Sequence, residues 1–162
     1  MAHSKEYPDA KTLDELPVPE IGCDSSFSWS AKHGHLATKE DAKVLIEKIN
    51  ELLVPGAHLV ITGGEPLLKG FHPFMLELLM SPELNTSHIT FETNGTQVFP
   101  YYMHFTHRYY LFSRKITWSV SPKISISGES FEDAIKPDAL LSYNQWPNSY
   151  LYLKIVIRDE HD

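Results

Sequence analysis

Leu59-Val60-Ile61-Thr62-Gly63-Gly64-Glu65-Pro66 decides how this chain is read, because an apolar run passes into two adjacent glycines and then into a segment of helical character. Glycines at a strand's end leave main-chain N–H and C=O groups bare, so a ligand with charged ends can approach the backbone closely. The same stretch also suits a tight strand-to-helix turn that holds nothing. The sequence on either side bears on which of the two it is.

Upstream, residues 1–20 are polar and Pro8, Pro17 and Pro19 break any periodicity, which reads as a linker or insertion remnant ahead of one domain over 21–162. Thr38 as N-cap, Asp41 three residues on, and an apolar stripe of Ala42, Leu45, Ile46, Ile49, Leu52 and Leu53 predict a helix that Pro55-Gly56 ends. Downstream, His58 to Thr62, His88 to Thr93, Lys115 to Val120 and Tyr150 to Ile157 read as strands, with helices over Pro73 to Met80 and Pro137 to Tyr143. This alternation predicts an α/β fold with parallel strands. Between Val98 and Arg114 the rings of Tyr101, Tyr102, Phe105, Tyr109, Tyr110 and Phe112 crowd together with His104, His107 and Arg108. They are expected to pack an irregular helix against the sheet rather than to stack on RNA bases.

Charge supports that choice. The chain has 14 Lys+Arg against 21 Asp+Glu, a formal charge of -7, with no basic run, so direct nucleic-acid binding is not expected. No stretch approaches the ~20 apolar residues of a membrane span, and the opening Met-Ala-His-Ser-Lys-Glu lacks the apolar core of a signal peptide, so a cytoplasmic protein is expected. With 162 residues, 42% of them hydrophobic, the chain can bury one substantial core. Its single cysteine excludes an intrachain disulfide framework.

In a parallel sheet or barrel, ligands gather at the C-terminal ends of the strands. Gly64 follows the first predicted strand, Glu92 to Thr96 closes the second, Ser121 to Lys123 closes the third, and Lys154 lies within the last. Unrelated turns would have no reason to share one rim, so a composite site is expected there.

Thr62-Gly63-Gly64-Glu65-Pro66 resembles the Gly-Gly-Glu-Pro motif of radical S-adenosylmethionine (SAM) enzymes. Gly22-Cys23-Asp24-Ser25-Ser26-Phe27-Ser28-Trp29 looks like the last cysteine of such a cluster motif with its following Asp-Ser, and Glu92-Thr93-Asn94-Gly95-Thr96 and Ser119-Val120-Ser121-Pro122-Lys123 come in turn. In this order, over Gly22 to Arg158, the four stretches resemble the 7-carboxy-7-deazaguanine synthase family, phage-like in character. The resemblance implies a partial (β/α)6-type radical SAM barrel with parallel strands. The activity it implies is contraction of 6-carboxy-5,6,7,8-tetrahydropterin to 7-carboxy-7-deazaguanine with loss of ammonia, in queuosine or other deazapurine biosynthesis.

Implied cofactors are a four-iron four-sulfur (4Fe-4S) cluster, S-adenosyl-L-methionine and magnesium. Implied partners are the pterin substrate and an electron donor such as flavodoxin or ferredoxin, with a homodimer as a possible assembly. Residue by residue, Cys23 would be a cluster ligand and Ser25 a magnesium ligand. Gly64, Ser121, Pro122 and Lys123 would contact SAM, Glu65 would either join them at the cofactor or orient the loop as a buttress, and Thr62 and Glu92 would contact the substrate.

One departure is large. The family uses three cysteines, spaced Cys-x3-Cys-x2-Cys, and this chain has only Cys23, which cannot hold such a cluster alone. Some phage-type relatives carry a long insertion between the second and third cysteines, so the expectation is a piece whose missing pair lies before Met1 and whose C-terminal part is missing too. By itself the piece would be inactive. The alternatives are another radical SAM enzyme, such as an activase, and a non-catalytic barrel domain without a cluster.

Overall fold

The computed structural model describes residues 9–12, 15–16, 31–36, 38–99, 114–124 and 129–156. Four strands, β1 (His58–Ile61), β2 (His88–Thr93), β3 (Lys115–Val120) and β4 (Ser149–Leu153), form one sheet in the order β1-β2-β3-β4. All three pairings are parallel. Among the described residues, every strand therefore pairs with its neighbours in sequence, and each connection is a crossover rather than a hairpin. The helices are α1 (Ala42–Leu52), α2 (His72–Met80), α3 (Phe131–Ala134) and α4 (Pro137–Asn144), with 3-10 turns at Ala31–Leu36 and Lys69–Phe71.

The α1 helix starts at Ala42, so Asp41 and not Thr38 is its N-cap. The Asp41 carboxylate accepts a hydrogen bond from the Val44 N–H at 2.9 Å, satisfying one of the donors left free in the first turn. Its apolar stripe is narrower than the sequence pattern. Ala42 and Ile46 are buried and Ile49 packs against the core, whereas Leu52 is 84% exposed. Asn50 ties the helix to the loop that follows α2, donating to the Glu83 carbonyl at 2.6 Å and accepting from the Asn85 N–H at 2.9 Å. Helix α2 carries Pro73 in its first turn, where a missing N–H costs nothing.

Alternation along the strands separates two faces. Leu59, Ile61, Ile89, Phe91, Ile116, Trp118, Val120 and Leu151 belong to the core that Ile46, Met75, Leu76, Leu78, Leu79, Ala139 and Tyr143 of the helices cover. Trp118 lies between two stacked rings, Phe91 at 5.0 Å and Tyr143 at 4.8 Å between centroids. Burying each of these side chains contributes about 1.5–3 kcal/mol.

The opposite face is mostly polar, with Val60, Tyr150 and Tyr152 exposed on it. His58 stacks on His88 with ring centroids 3.8 Å apart, and their Nε2 atoms lie 2.6 Å from Thr90 Oγ1 and 2.9 Å from Thr117 Oγ1. Desolvation, then the charge of His58 and of Lys115, holds the His88 imidazole below its ordinary pKa.

At the lower end of the sheet, the buried Arg114 donates to the carbonyls of Leu79, Ser81, Leu84 and Thr86. One guanidinium thereby satisfies carbonyls at the end of α2 and in the turn that follows it. The same loop, Pro82 to Ser87, lines a shallow depression beside Arg114. Among the described residues no helix is long and apolar enough to cross a membrane.

Candidate functional site

The rim is built from the first residues after each strand. Beyond β1 the chain turns at Gly63 and Gly64, with φ of 91° and 55°, a left-handed conformation that other residues adopt only with strain. A Cβ at Gly63 would meet nothing within 4 Å, so this backbone is open to a close approach from outside. Glu65 then folds back onto β2. Its Oε1 accepts from Thr93 Oγ1 at 2.8 Å and from the Leu67 N–H at 3.0 Å, and its Oε2 accepts from the Asn94 N–H at 2.8 Å. Both oxygens are thus engaged within the protein, which makes Glu65 a buttress of the loop.

The next stretch is held equally locally. Asn94 Oδ1 accepts from the Thr96 N–H at 2.9 Å and Thr96 Oγ1 at 2.7 Å, so the Asn-Gly sequence forms a side-chain-stabilised turn. Gly95 is more constrained than a turn requires. It combines φ of 80° with a position where a Cβ would stand 2.5 Å from Val120 Cγ1. Burial raises the Tyr143 phenol well above its ordinary pKa, and the nearby Glu65 charge adds to this. The protonated hydroxyl donates to the Gln97 carbonyl at 2.5 Å.

Sheet hydrogen bonding continues past the formal strand ends, with Ser121 N–H donating to the Thr93 carbonyl at 2.8 Å and Lys154 N–H to the Val120 carbonyl at 2.7 Å. Three side chains meet across this extension. Thr62 Oγ1 donates to Glu92 Oε2 at 3.2 Å, and Lys154 Nζ lies 3.5 Å from Glu92 Oε1. Glu92 and Lys154 are 40% and 50% exposed at their side chains, and pairs of that kind contribute roughly 0–1 kcal/mol. Ser121 and Lys123 are half-buried and Pro122 is buried.

The rim therefore brings together Thr62, Glu92 and Lys154 by direct contact, and Gly64 and Glu65 with the end of β2 through the Glu65 carboxylate. Ser121, Pro122 and Lys123 stand at the end of the adjoining strand. Cys23 and Ser25 lie outside the described residues, as does most of the aromatic segment, 101–113. Among the described residues no three His, Cys, Asp or Glu side chains converge as metal ligands.

Two features carry no signal in the sequence. The His58–Thr90 and His88–Thr117 contacts run across strands, and no spacing within one strand marks them. Ser119, within the Ser119-to-Lys123 stretch, has a hydroxyl buried without a hydrogen-bond partner. The opposite faces assigned to Ser119 and Trp118 follow from alternation once the strand is placed, but a missing partner does not.

Gly63 offers positive φ and open space for a cofactor's polar end, which fits SAM. One cysteine in 162 residues does not fit a four-iron cluster. Comparison of the chain with protein-family models, with curated proteins and with solved structures finds no match.

Proposed function

We propose that this chain is the SAM-binding and substrate-binding rim of a radical SAM enzyme of the 7-carboxy-7-deazaguanine synthase type, its strands and helices being part of a (β/α)6-type barrel. The observation that carries the reading is convergence. Stretches that resemble the family's motifs follow β1, close β2 and follow β3; the first is joined to the second where Thr62 donates to Glu92 and where Glu65 accepts from Thr93 and the Asn94 N–H. Sequential parallel strands with the apolar helix surfaces packed on one face support the barrel, whose interior would be the polar face.

On this reading the bare backbone at Gly63 and Gly64 receives the methionine end of SAM, with Ser121 and Lys123 beside it. Pro122 stiffens that turn. Thr62 and Glu92 face the pterin, and Glu65 acts through the loop rather than on the ligand. Cys23 as cluster thiolate and Ser25 as magnesium ligand stay as the resemblance implies them. The cluster needs two further thiolates from outside this sequence. An electron donor such as flavodoxin or ferredoxin and a cytoplasmic location belong to the same proposal.

Anaerobic reconstitution tests it. The chain as given should hold no stable cluster and form no 5'-deoxyadenosine, whereas a version extended by a segment carrying Cys-x3-Cys should do both and yield 7-carboxy-7-deazaguanine. In the extended protein Cys23→Ala should abolish iron binding, and Ser25→Ala should weaken magnesium dependence by degrees, because a hydroxyl is one ligand among several. Full iron content in the Cys23→Ala protein would overturn the alignment. SAM cleavage with a different product would favour another radical SAM enzyme, and no cleavage at all a non-catalytic domain.

A further inference from the structure

His58 and His88 open β1 and β2, at the end of the sheet away from the rim. Glu92 stands further along β2 by roughly 13 Å of strand, so the histidine pair lies apart from the contacts among Thr62, Glu92 and Lys154. The two rings are 3.8 Å apart between centroids and 9° from parallel. Each is fixed at Nε2 by a threonine on the next strand, His58 by Thr90 at 2.6 Å and His88 by Thr117 at 2.9 Å. The register pairs His58 with His88 and His88 with Lys115, so each threonine stands two positions beyond its histidine's partner. One ring is thus a copy of the other shifted by one strand. Fixing Nε2 also fixes which edge of each ring carries Nδ1, and both Nδ1 atoms fall on the same side of the stack. Neither has a hydrogen-bond partner among the described residues.

A metal-bound imidazole is oriented through its second nitrogen, which donates to an acceptor and leaves the ligating atom its lone pair. Thr90 and Thr117 suit that role, since both are buried and a hydroxyl oxygen accepts from Nε2–H. Two metal–nitrogen bonds of about 2.1 Å place their nitrogens at most about 4 Å apart, which matches the spacing of the rings. Desolvation, with the charges of His58 and Lys115, keeps His88 below its ordinary pKa and so unprotonated at neutral pH, as a ligand must be.

We propose that His58 and His88 together bind one borderline-soft divalent cation, copper(II) or zinc, through their paired Nδ1 atoms, with Thr90 and Thr117 as positioning residues and water in the remaining positions. The site goes beyond the functional reading above and does not rest on it, because it uses neither the rim nor its motifs. Imidazole nitrogen favours copper(II) over zinc, and magnesium, which prefers oxygen, does not compete. Lys115, next in the row and exposed, carries an ammonium that opposes a dication.

The test uses the chain as it stands. Copper(II), zinc and magnesium chlorides and inorganic phosphate are titrated separately by calorimetry in a non-coordinating buffer, alongside long-range nitrogen–proton spectra of the histidine rings. In the free protein both histidines should show the Nε2–H tautomer, and zinc should shift Nδ1 of His58 and His88. Copper(II) should bind more tightly than zinc, and magnesium should not bind. His58→Gln and His88→Gln should each weaken zinc by about tenfold or more, since each removes one of two protein ligands. The double variant measures whatever the other histidines bind. Thr90→Val should let His58 take up the Nδ1–H tautomer and weaken zinc by about tenfold; a merely structural threonine would lower the melting temperature with tautomer and affinity unchanged. Lys115→Met should tighten zinc severalfold by removing a like charge. Zinc binding unchanged in the double variant, or Nδ1–H tautomers at both histidines of the free protein, would overturn the proposal. So would binding of phosphate in place of the cations, lost in Lys115→Met, which would make the row an anion site. The spectra of the unaltered chain decide the matter even where a variant fails to fold.

Discussion

Gly95→Ala isolates the tightest backbone contact at the rim. The substitution puts a methyl group 2.5 Å from Val120 Cγ1 and 3.6 Å from Leu140 Cδ2 and forces a side chain onto φ of 80°. The conformational part costs about 1–2 kcal/mol, and overpacking adds about 1–3 kcal/mol, so a loss of roughly 2–5 kcal/mol is expected. Gly63→Ala is the internal control. It meets the same conformational demand at φ of 91° with nothing within 4 Å, so it should lose only the first part. Urea denaturation gives both losses, provided the m-values agree. Val120→Ala then removes the clashing methyl groups, and a double-mutant cycle should return a coupling of about 1–3 kcal/mol between positions 95 and 120. Equal losses at Gly95 and Gly63, or no coupling, would refute the close-approach argument.

Arg114→Met should destabilise by more than about 2 kcal/mol, because it strands the buried carbonyls that the guanidinium satisfies; a chemical melt within error of the wild type would contradict this. The depressed His88 pKa means that the unfolded chain binds more protons than the folded one between the folded value and the ordinary 6.5. Stability should therefore be full above pH 6.5, fall as pH drops through that window, and level off once His88 is protonated in both states. His88→Gln should flatten this part of the profile, which thermal melts across the range would show.

How far the fold could be read in advance depended on what bounds each element. The β2 and β3 strands match their predicted limits because loops and charged or β-branched residues delimit both. The β1 strand stops at Ile61, one residue early, since the positive φ of the two glycines ends the extended backbone. The β4 strand is Ser149–Leu153, shorter than the apolar run up to Ile157, of which residues through Val156 are described and lie outside it. Helix α3 escaped notice because four residues carry no periodicity, although Ser130 caps it by accepting from the Asp133 N–H. At the site, the rim location was legible because glycine, asparagine and proline mark strand ends. The division of labour within it was not. Whether Glu65 faces a ligand or Thr93 depends on the partners it finds on another strand, as does the pairing of Glu92 with Lys154.

The sequential strand order has a kinetic side. His58 pairs with His88, and Ile116 with Ser149, so among the described strands each pairing closes over roughly thirty residues and none waits for a more distant one. During synthesis, β1 and β2 can join with α1 and α2 over them before β4 leaves the ribosome, and assembly proceeds in the direction of translation. A lesion in β4 would then leave the earlier strands a partly built sheet to rest in, whereas a lesion in β2 would halt growth at its first step.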